Sequence, residues 1–156
     1  MKFFKFYKKN NHIHINLWKI KIRFRYRGIS NYRKLYTFCE IQNLDKLLKQ
    51  GLRCDHPIGI VMHYKEFGYN NHIYQNVTIG AKRGFKSKYP DDYPTIGNNI
   101  IVYAGAVICG GITVGDNAEI GANAVVVDDV PPNAIVAGIP AKIIGYKDIK
   151  QNNNSK

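Results

Sequence analysis

The chain is 156 residues long, carries a net charge of +12 and contains three cysteines. That length fits one domain with a core of its own plus an arm. Cys39, Cys54 and Cys109 form no CxxC or metal-site spacing, so neither a disulfide framework nor a metal centre is expected, and a reduced, cytoplasmic setting is. No run of eighteen apolar residues or signal peptide is present, which excludes a membrane-spanning helix as the organising element.

The charge is concentrated at the start. Residues 1–39 hold eleven lysines and arginines and no acid, leaving twelve basic against eleven acidic residues for the rest. Within the arm, taken as residues 1–38, Trp18, Ile20, Ile22, Phe24 and Tyr26 alternate with Lys19, Lys21, Arg23, Arg25 and Arg27, which predicts a strand with one apolar and one cationic face. Ile13, Ile15 and Leu17 alternate in the opposite phase, placing a bulge or turn near Leu17 and Trp18. Such a face suits an anionic membrane surface or a lipid-linked substrate; a solvated strand packed on the body is the second reading and nucleic acid the weakest, since no nucleic-acid module is recognisable.

A capping helix is expected over 39–51. Ile41, Leu44, Leu47 and Leu48 follow helical spacing, and Gly51 supplies the stop. Its place would be over the open end of the repeat region, residues 52–145.

In that region Val61, Phe67, Ile73 and Ile79 stand six apart. After a break of seventeen residues, Ile96, Val102, Ile108, Val114, Ile120 and Val126 continue at six, shadowed by Ile100, Ala106, Ile112, Ala118, Ala124 and Val130. Six fits neither an amphipathic helix nor a long alternating strand, but it fits very short strands separated by turns, three to a triangular coil, with stacked coils burying the aliphatic columns. Gly97, Gly115 and Gly121 are expected at sharp corners. The break requires an extruded loop, 81–95. Pro131, Pro132 and Pro140 close the repeat, and 146–156 reads as a flexible tail.

Of five histidines, His12 and His14 belong to the arm, leaving His56, His63 and His72 for acid–base work near neutrality. Composition does not choose among them.

The hexapeptide periodicity, Asp55-His56-Pro57-Ile58-Gly59-Ile60-Val61, Tyr74-Gln75-Asn76-Val77-Thr78-Ile79-Gly80 and Ala137-Gly138-Ile139-Pro140-Ala141-Lys142 together resemble the serine acetyltransferase-like branch of the hexapeptide acyltransferases. The resemblance implies an all-β, left-handed parallel β-helix, a homotrimer with active sites between subunits, and acetyl-coenzyme A as donor. It implies His56 as general base with Asp55 the acid before it. Ala104 and Ala122 would be small positions along the pantetheine arm, Lys142 a phosphate contact, and Ala81 a loop position meeting the cofactor.

Two features depart from the pattern. The chain is one residue short between His56 and Phe67, which keeps His63 as a reserve base. The loop carries Asp91-Asp92-Tyr93 where serine acetyltransferases place Arg-His, with Lys86 and Lys88 a few residues earlier. Carboxylates and an aromatic ring suit sugars, so Tyr93 and Asp92 are read as acceptor-binding residues and the protein as an O-acetyltransferase of surface-polysaccharide biosynthesis, cytoplasmic or peripheral at the inner membrane face. A serine or other small-molecule acetyltransferase is the alternative, and a catalytically silent β-helix scaffold is the rival of another class.

Overall fold

The computed structural model describes residues 5–9, 12–17, 20–25, 38–82 and 88–148. In the arm, β1 (Lys5–Lys9), β2 (His12–Leu17) and β3 (Ile20–Arg25) form an antiparallel sheet in that order. Leu17 pairs with Ile20, so the chain reverses where the alternation changes phase. The arm's side chains, residues 83–87 of the loop and the tail beyond 148 lie outside the described residues, and so does the expected cationic face.

The body begins with β4 (Glu40–Ile41) and α1 (Leu44–Lys49). The helix is shorter than the 39–51 expected, because Glu40 and Ile41 are claimed by a neighbouring strand: Glu40 N–H donates to Ile60 O at 2.8 Å and Gln42 N–H to Met62 O at 3.0 Å. Its end is a Schellman motif. Gly51, at φ +87°, donates to Leu48 O, and Leu52 donates to Leu47 O at 2.9 Å. Leu44 and Leu47 are buried and plug the first coil.

Four coils are stacked above the helix. The first comprises β5 (Val61–Met62), β6 (Glu66–Phe67) and β7 (His72–Ile73). The second has β8 (Thr78–Gly80), β9 (Thr95–Ile96) and β10 (Ile101–Val102), and the third β11 (Val107–Cys109), β12 (Thr113–Val114) and β13 (Glu119–Ile120). The last has β14 (Val125–Val126), a bridge at Val130 and β15 (Ala134–Gly138), after which β16 (Ala141–Tyr146) turns back antiparallel on β15. Stacked in parallel, they form three faces: β4-β5-β8-β11-β14, β6-β9-β12, and β7-β10-β13-β15 closed by β16. This is the left-handed parallel β-helix.

Both aliphatic columns from Ile96 to Val130 are buried. One register differs from the sequence reading. Met62, not Val61, pairs with the buried Ile79 and fills the core, because side chains alternate along a strand and a one-residue slip moves the whole set outward.

The corners also differ. Gly97 and Gly115 do not have positive φ; they are glycines because the next coil lies too close, a Cβ on Gly115 falling 2.5 Å from Pro132 N. The left-handed corners are taken mostly by asparagine, at Asn70, Asn99, Asn117 and Asn133 in one stack and Asn76 and Asn123 in another, where Gly59 and Gly105 share the role. Asparagine tolerates this conformation better than other residues with a Cβ. The buried Asn71 ties two coils, donating to Gly97 O at 2.9 Å and accepting from Ile100 N–H at 2.8 Å.

Candidate active site

The corner that carries His56 is larger than those above it. Arg53 is in register with His72, and Val61 with Thr78, so seven residues intervene in the first corner. The equivalent corners from His72 to Thr78, Ile101 to Val107 and Glu119 to Val125 each hold five. The two-residue excess pushes Asp55 and His56 outward, both exposed, while Pro57 stays buried and tucks the bulge against the coil.

Asp55 does not turn to His56. Its Oδ2 lies 2.9 Å from His72 Nε2, a close polar contact without the alignment of a hydrogen bond. His63 sits at the other end of the first face with Nε2 3.4 Å from Glu40 Oε1. Cys54, buried behind the bulge, has its thiol pushed up to about 12 by burial, with Cys39 and Asp55 adding to the effect. It holds almost no thiolate at neutral pH, so it cannot serve as a nucleophile there.

A track leads away from His56. Asn76 N–H donates to Ile58 O, Gly105 N–H to Gln75 O and Asn123 N–H to Ala104 O, which stacks Ile58, Gln75, Ala104 and Ala122 on successive coils. Lys142 lies opposite Ala137 on the closing hairpin, beside the far end of this column, with Nζ 3.8 Å from Asp128 Oδ2. Three steps of ~4.8 Å separate these four positions and give a track of about 14 Å, narrow and floored by small side chains in its upper part. It fits a long, thin thioester arm. Gln75 Oε1 is buried and has no hydrogen-bond partner among the described residues, so it can accept from an amide N–H laid along the track. Sequence reasoning missed Gln75; its only signal is its place one repeat below Ala104.

Ala81, Asp92 and Tyr93 are elsewhere. They belong to the corner where the loop leaves β8 and returns to β9, at the opposite end of the first face from His56. The returning segment makes a 3-10 turn, Pro90–Asp92, seated on Gly111, whose hydrogen occupies the space that a Cβ could take only by displacing the Asp91 carbonyl oxygen. Between this segment and the first coil is a cleft of about 380 Å³ lined by Gln42, His63, Tyr64, Lys65, Lys88, Pro90 and Tyr93. Lys65 donates to Asp91 Oδ1 at 2.7 Å. That bond holds the Asp91 carboxyl below its usual range and raises the Lys65 ammonium above its own. Among the described residues no group of three or more His, Cys, Asp or Glu is placed to hold a metal ion.

Residues 93–128 match the bacterial transferase hexapeptide family of six repeats. Over 129 residues the chain is 40% identical to the serine acetyltransferase of Helicobacter pylori (strain ATCC 700392 / 26695), covering 82% of this chain and 73% of that enzyme. It is 35% identical over 130 residues to the serine acetyltransferase of Mycobacterium tuberculosis (strain ATCC 25618 / H37Rv), covering 83% of this chain and 55% of the relative. The crystal structure of Neisseria gonorrhoeae serine acetyltransferase superposes with a TM-score of 0.55 at 37% identity, over 68% of this chain but only 39% of that one. A serine acetyltransferase solved as a complex with CoA superposes with a TM-score of 0.54 at 34% identity, again over 68% of this chain and 39% of the other.

These relatives overturn the polysaccharide reading, since they are serine acetyltransferases. The geometry agrees with the correction at the loop. Asp91, the loop carboxylate beside the expected acceptor-binding residues Asp92 and Tyr93, is spent on Lys65, and Tyr93 faces a cleft that also presents Lys88. The chain belongs to the serine acetyltransferase family of hexapeptide-repeat acyltransferases, which take their acetyl group from acetyl-coenzyme A.

Proposed function

We propose that this protein transfers the acetyl group of acetyl-coenzyme A to the hydroxyl of free serine. The observation that carries the reading is the 40% identity across 82% of the chain, which spans both the His56 bulge and the track above it. His56 would accept the serine hydroxyl proton as the oxygen attacks the thioester carbonyl, and return it to the departing thiolate. Direct transfer needs no acyl-enzyme, consistent with the protonated Cys54. The donor's arm would lie along Gln75, Ala104 and Ala122, with Lys142 near its phosphates and Ala81 beside it from the loop corner. Serine's carboxylate would enter the cleft, where Lys88 and Tyr93 stand in for the Arg-His of the family pattern.

His56 and the cleft lie at opposite ends of the first face, so one chain cannot bring both to the same acceptor. A trimer resolves this, each His56 corner meeting the loop corner of a neighbour. A cytoplasmic setting, with three unpaired cysteines, suits this chemistry.

The test is to incubate the full chain with acetyl-coenzyme A and serine and to look for O-acetylserine by mass spectrometry alongside free thiol. Product formation that His56→Ala abolishes, with the trimer retained, is the expected result. Thiol release that serine does not stimulate, with no O-acetylserine formed, would refute the reading.

A further inference from the structure

His56 stands on a bulge whose backbone is lightly held. Among the described residues its backbone hydrogen bonds are Ile58 N–H to His56 O at 2.8 Å, within the bulge itself, Gly59 N–H to Phe38 O at 3.0 Å and Asn76 N–H to Ile58 O at 2.9 Å, so the bulge is held from Ile58 onward while the peptide groups of Asp55 and His56 make none to the coils. A base must meet its proton at hydrogen-bond distance, so a corner free to swing would waste the imidazole. The side-chain tether from the bulge to the rigid coil is the Asp55 carboxylate at His72 Nε2.

His72 is well placed to be an anchor. Its backbone is fixed on β7 between Arg53 and Ile101, its N–H donating to Ile100 O at 2.8 Å. Its side chain is only 15% exposed, against 45% for Asp55. The ring stacks on Tyr74 at 4.5 Å and 28°, and Tyr74 stacks on Tyr103 at 5.4 Å. Tyr103 Oη lies 3.5 Å from Glu119 Oε2, and Glu119 Oε1 lies 2.9 Å from Lys147 Nζ. The imidazole is thus the first member of a ladder running up the third face to the end of the closing hairpin.

We propose that His72 is a positioning residue: by holding the Asp55 carboxylate against the third face, it fixes the direction in which the neighbouring His56 meets the acceptor hydroxyl. The inference rests on the serine acetyltransferase reading with His56 as base. His72 touches neither the track nor the cleft, and no step of the transfer uses it. It acts through the residue beside the base.

Three variants test this. His72→Phe keeps an aromatic ring for the stack and removes the nitrogen; His72→Gln keeps a polar reach to Asp55 without the ring; His72→Ala removes both. His72→Phe and His72→Ala should lower kcat by about ten- to a hundredfold, the range for removing a group that orients a site residue, with KM for acetyl-coenzyme A unchanged. His72→Gln should recover part of kcat, and Asp55→Asn combined with His72→Phe should be no slower than the worse single variant. A wild-type kcat in His72→Phe would overturn the proposal, as would equal losses in the Phe and Gln variants that follow a fall in thermal stability. Those outcomes leave the function reading untouched, because wild-type O-acetylserine formation and its loss in His56→Ala are scored separately. Should the wild type fail with serine, amide NMR decides: His72→Phe should shift the resonances from Asp55 to Gly59 while leaving those of the third coil in place, and unmoved resonances would overturn it.

Discussion

Lys88→Ala should separate recognition of the acceptor from everything else the protein does. Among the described residues two lysines line the cleft, and they are not equivalent. Lys65 is held at 2.7 Å by Asp91 and brings no net charge, whereas no carboxylate pairs with Lys88 among the described residues. A hydrogen bond to a charged partner contributes ~1.5–3 kcal/mol, and because the cleft is open to solvent the lower end applies. At about 1.4 kcal/mol per factor of ten, KM for serine should rise roughly tenfold, with KM for acetyl-coenzyme A unchanged. Lys88→Arg should stay within about threefold of wild type, since it keeps the charge. Initial rates of thiol release, with serine varied at saturating acetyl-coenzyme A, give the numbers. A normal KM for serine in Lys88→Ala, accompanied by a raised one in Lys65→Ala, would show that the cation had been assigned wrongly.

Ala104→Leu and Ala122→Leu should fill the track and raise KM for acetyl-coenzyme A by about tenfold or more, while Gln75→Leu should raise it severalfold by removing an amide acceptor; isothermal titration with CoA reads all three. Gly111→Ala should unseat the 3-10 turn from the coil, raising KM for serine without lowering the unfolding temperature of the body, because the added methyl meets Asp91 O and no core atom. The Lys65–Asp91 clasp should be silent near neutrality. Asp91 is shifted down, so its contribution is present above the ordinary carboxylate pKa and is lost as pH falls through the lowered value; Lys65 is shifted up, so its contribution is lost as pH rises through the raised one. Loop exchange measured by NMR should therefore be flat between about pH 5 and pH 9. Opening of the clasp within that window would contradict the pairing.

The columns from Ile96 to Val130 were readable because burial in a solenoid repeats with the chain, and every one of those residues is in the core. Val61 misled because its spacing to Phe67 is also six, while pairing with Thr78 turns it outward and puts Met62 inside. The asparagine corners had a signal that went unused: Asn117 and Asn123 are six apart, as are Asn70 and Asn76, and Asn99 and Asn117 are eighteen apart. Glycine drew attention as the usual owner of such corners, but Gly97 and Gly115 answer to the closeness of the next coil. At the proposed site, His56 is read from its motif alone, whereas the contact between Asp55 and His72 had no signal in the sequence. It spans seventeen residues and depends on a two-residue bulge that only coil registers reveal. The clasp spans twenty-six residues, so Asp91 read as an open carboxylate when its charge is already answered.

A parallel coil has two ends at which backbone donors and acceptors point along its axis, an invitation to end-to-end growth into fibres. Here each end is shut by a different device: α1 puts Leu44 and Leu47 into the first opening, and β16 runs back against β15 so that the last rung of the third face meets a strand of the wrong polarity for another coil. The third face therefore offers a further parallel coil no strand of matching polarity to add to, and the leucines of α1 already fill the opening at the other end.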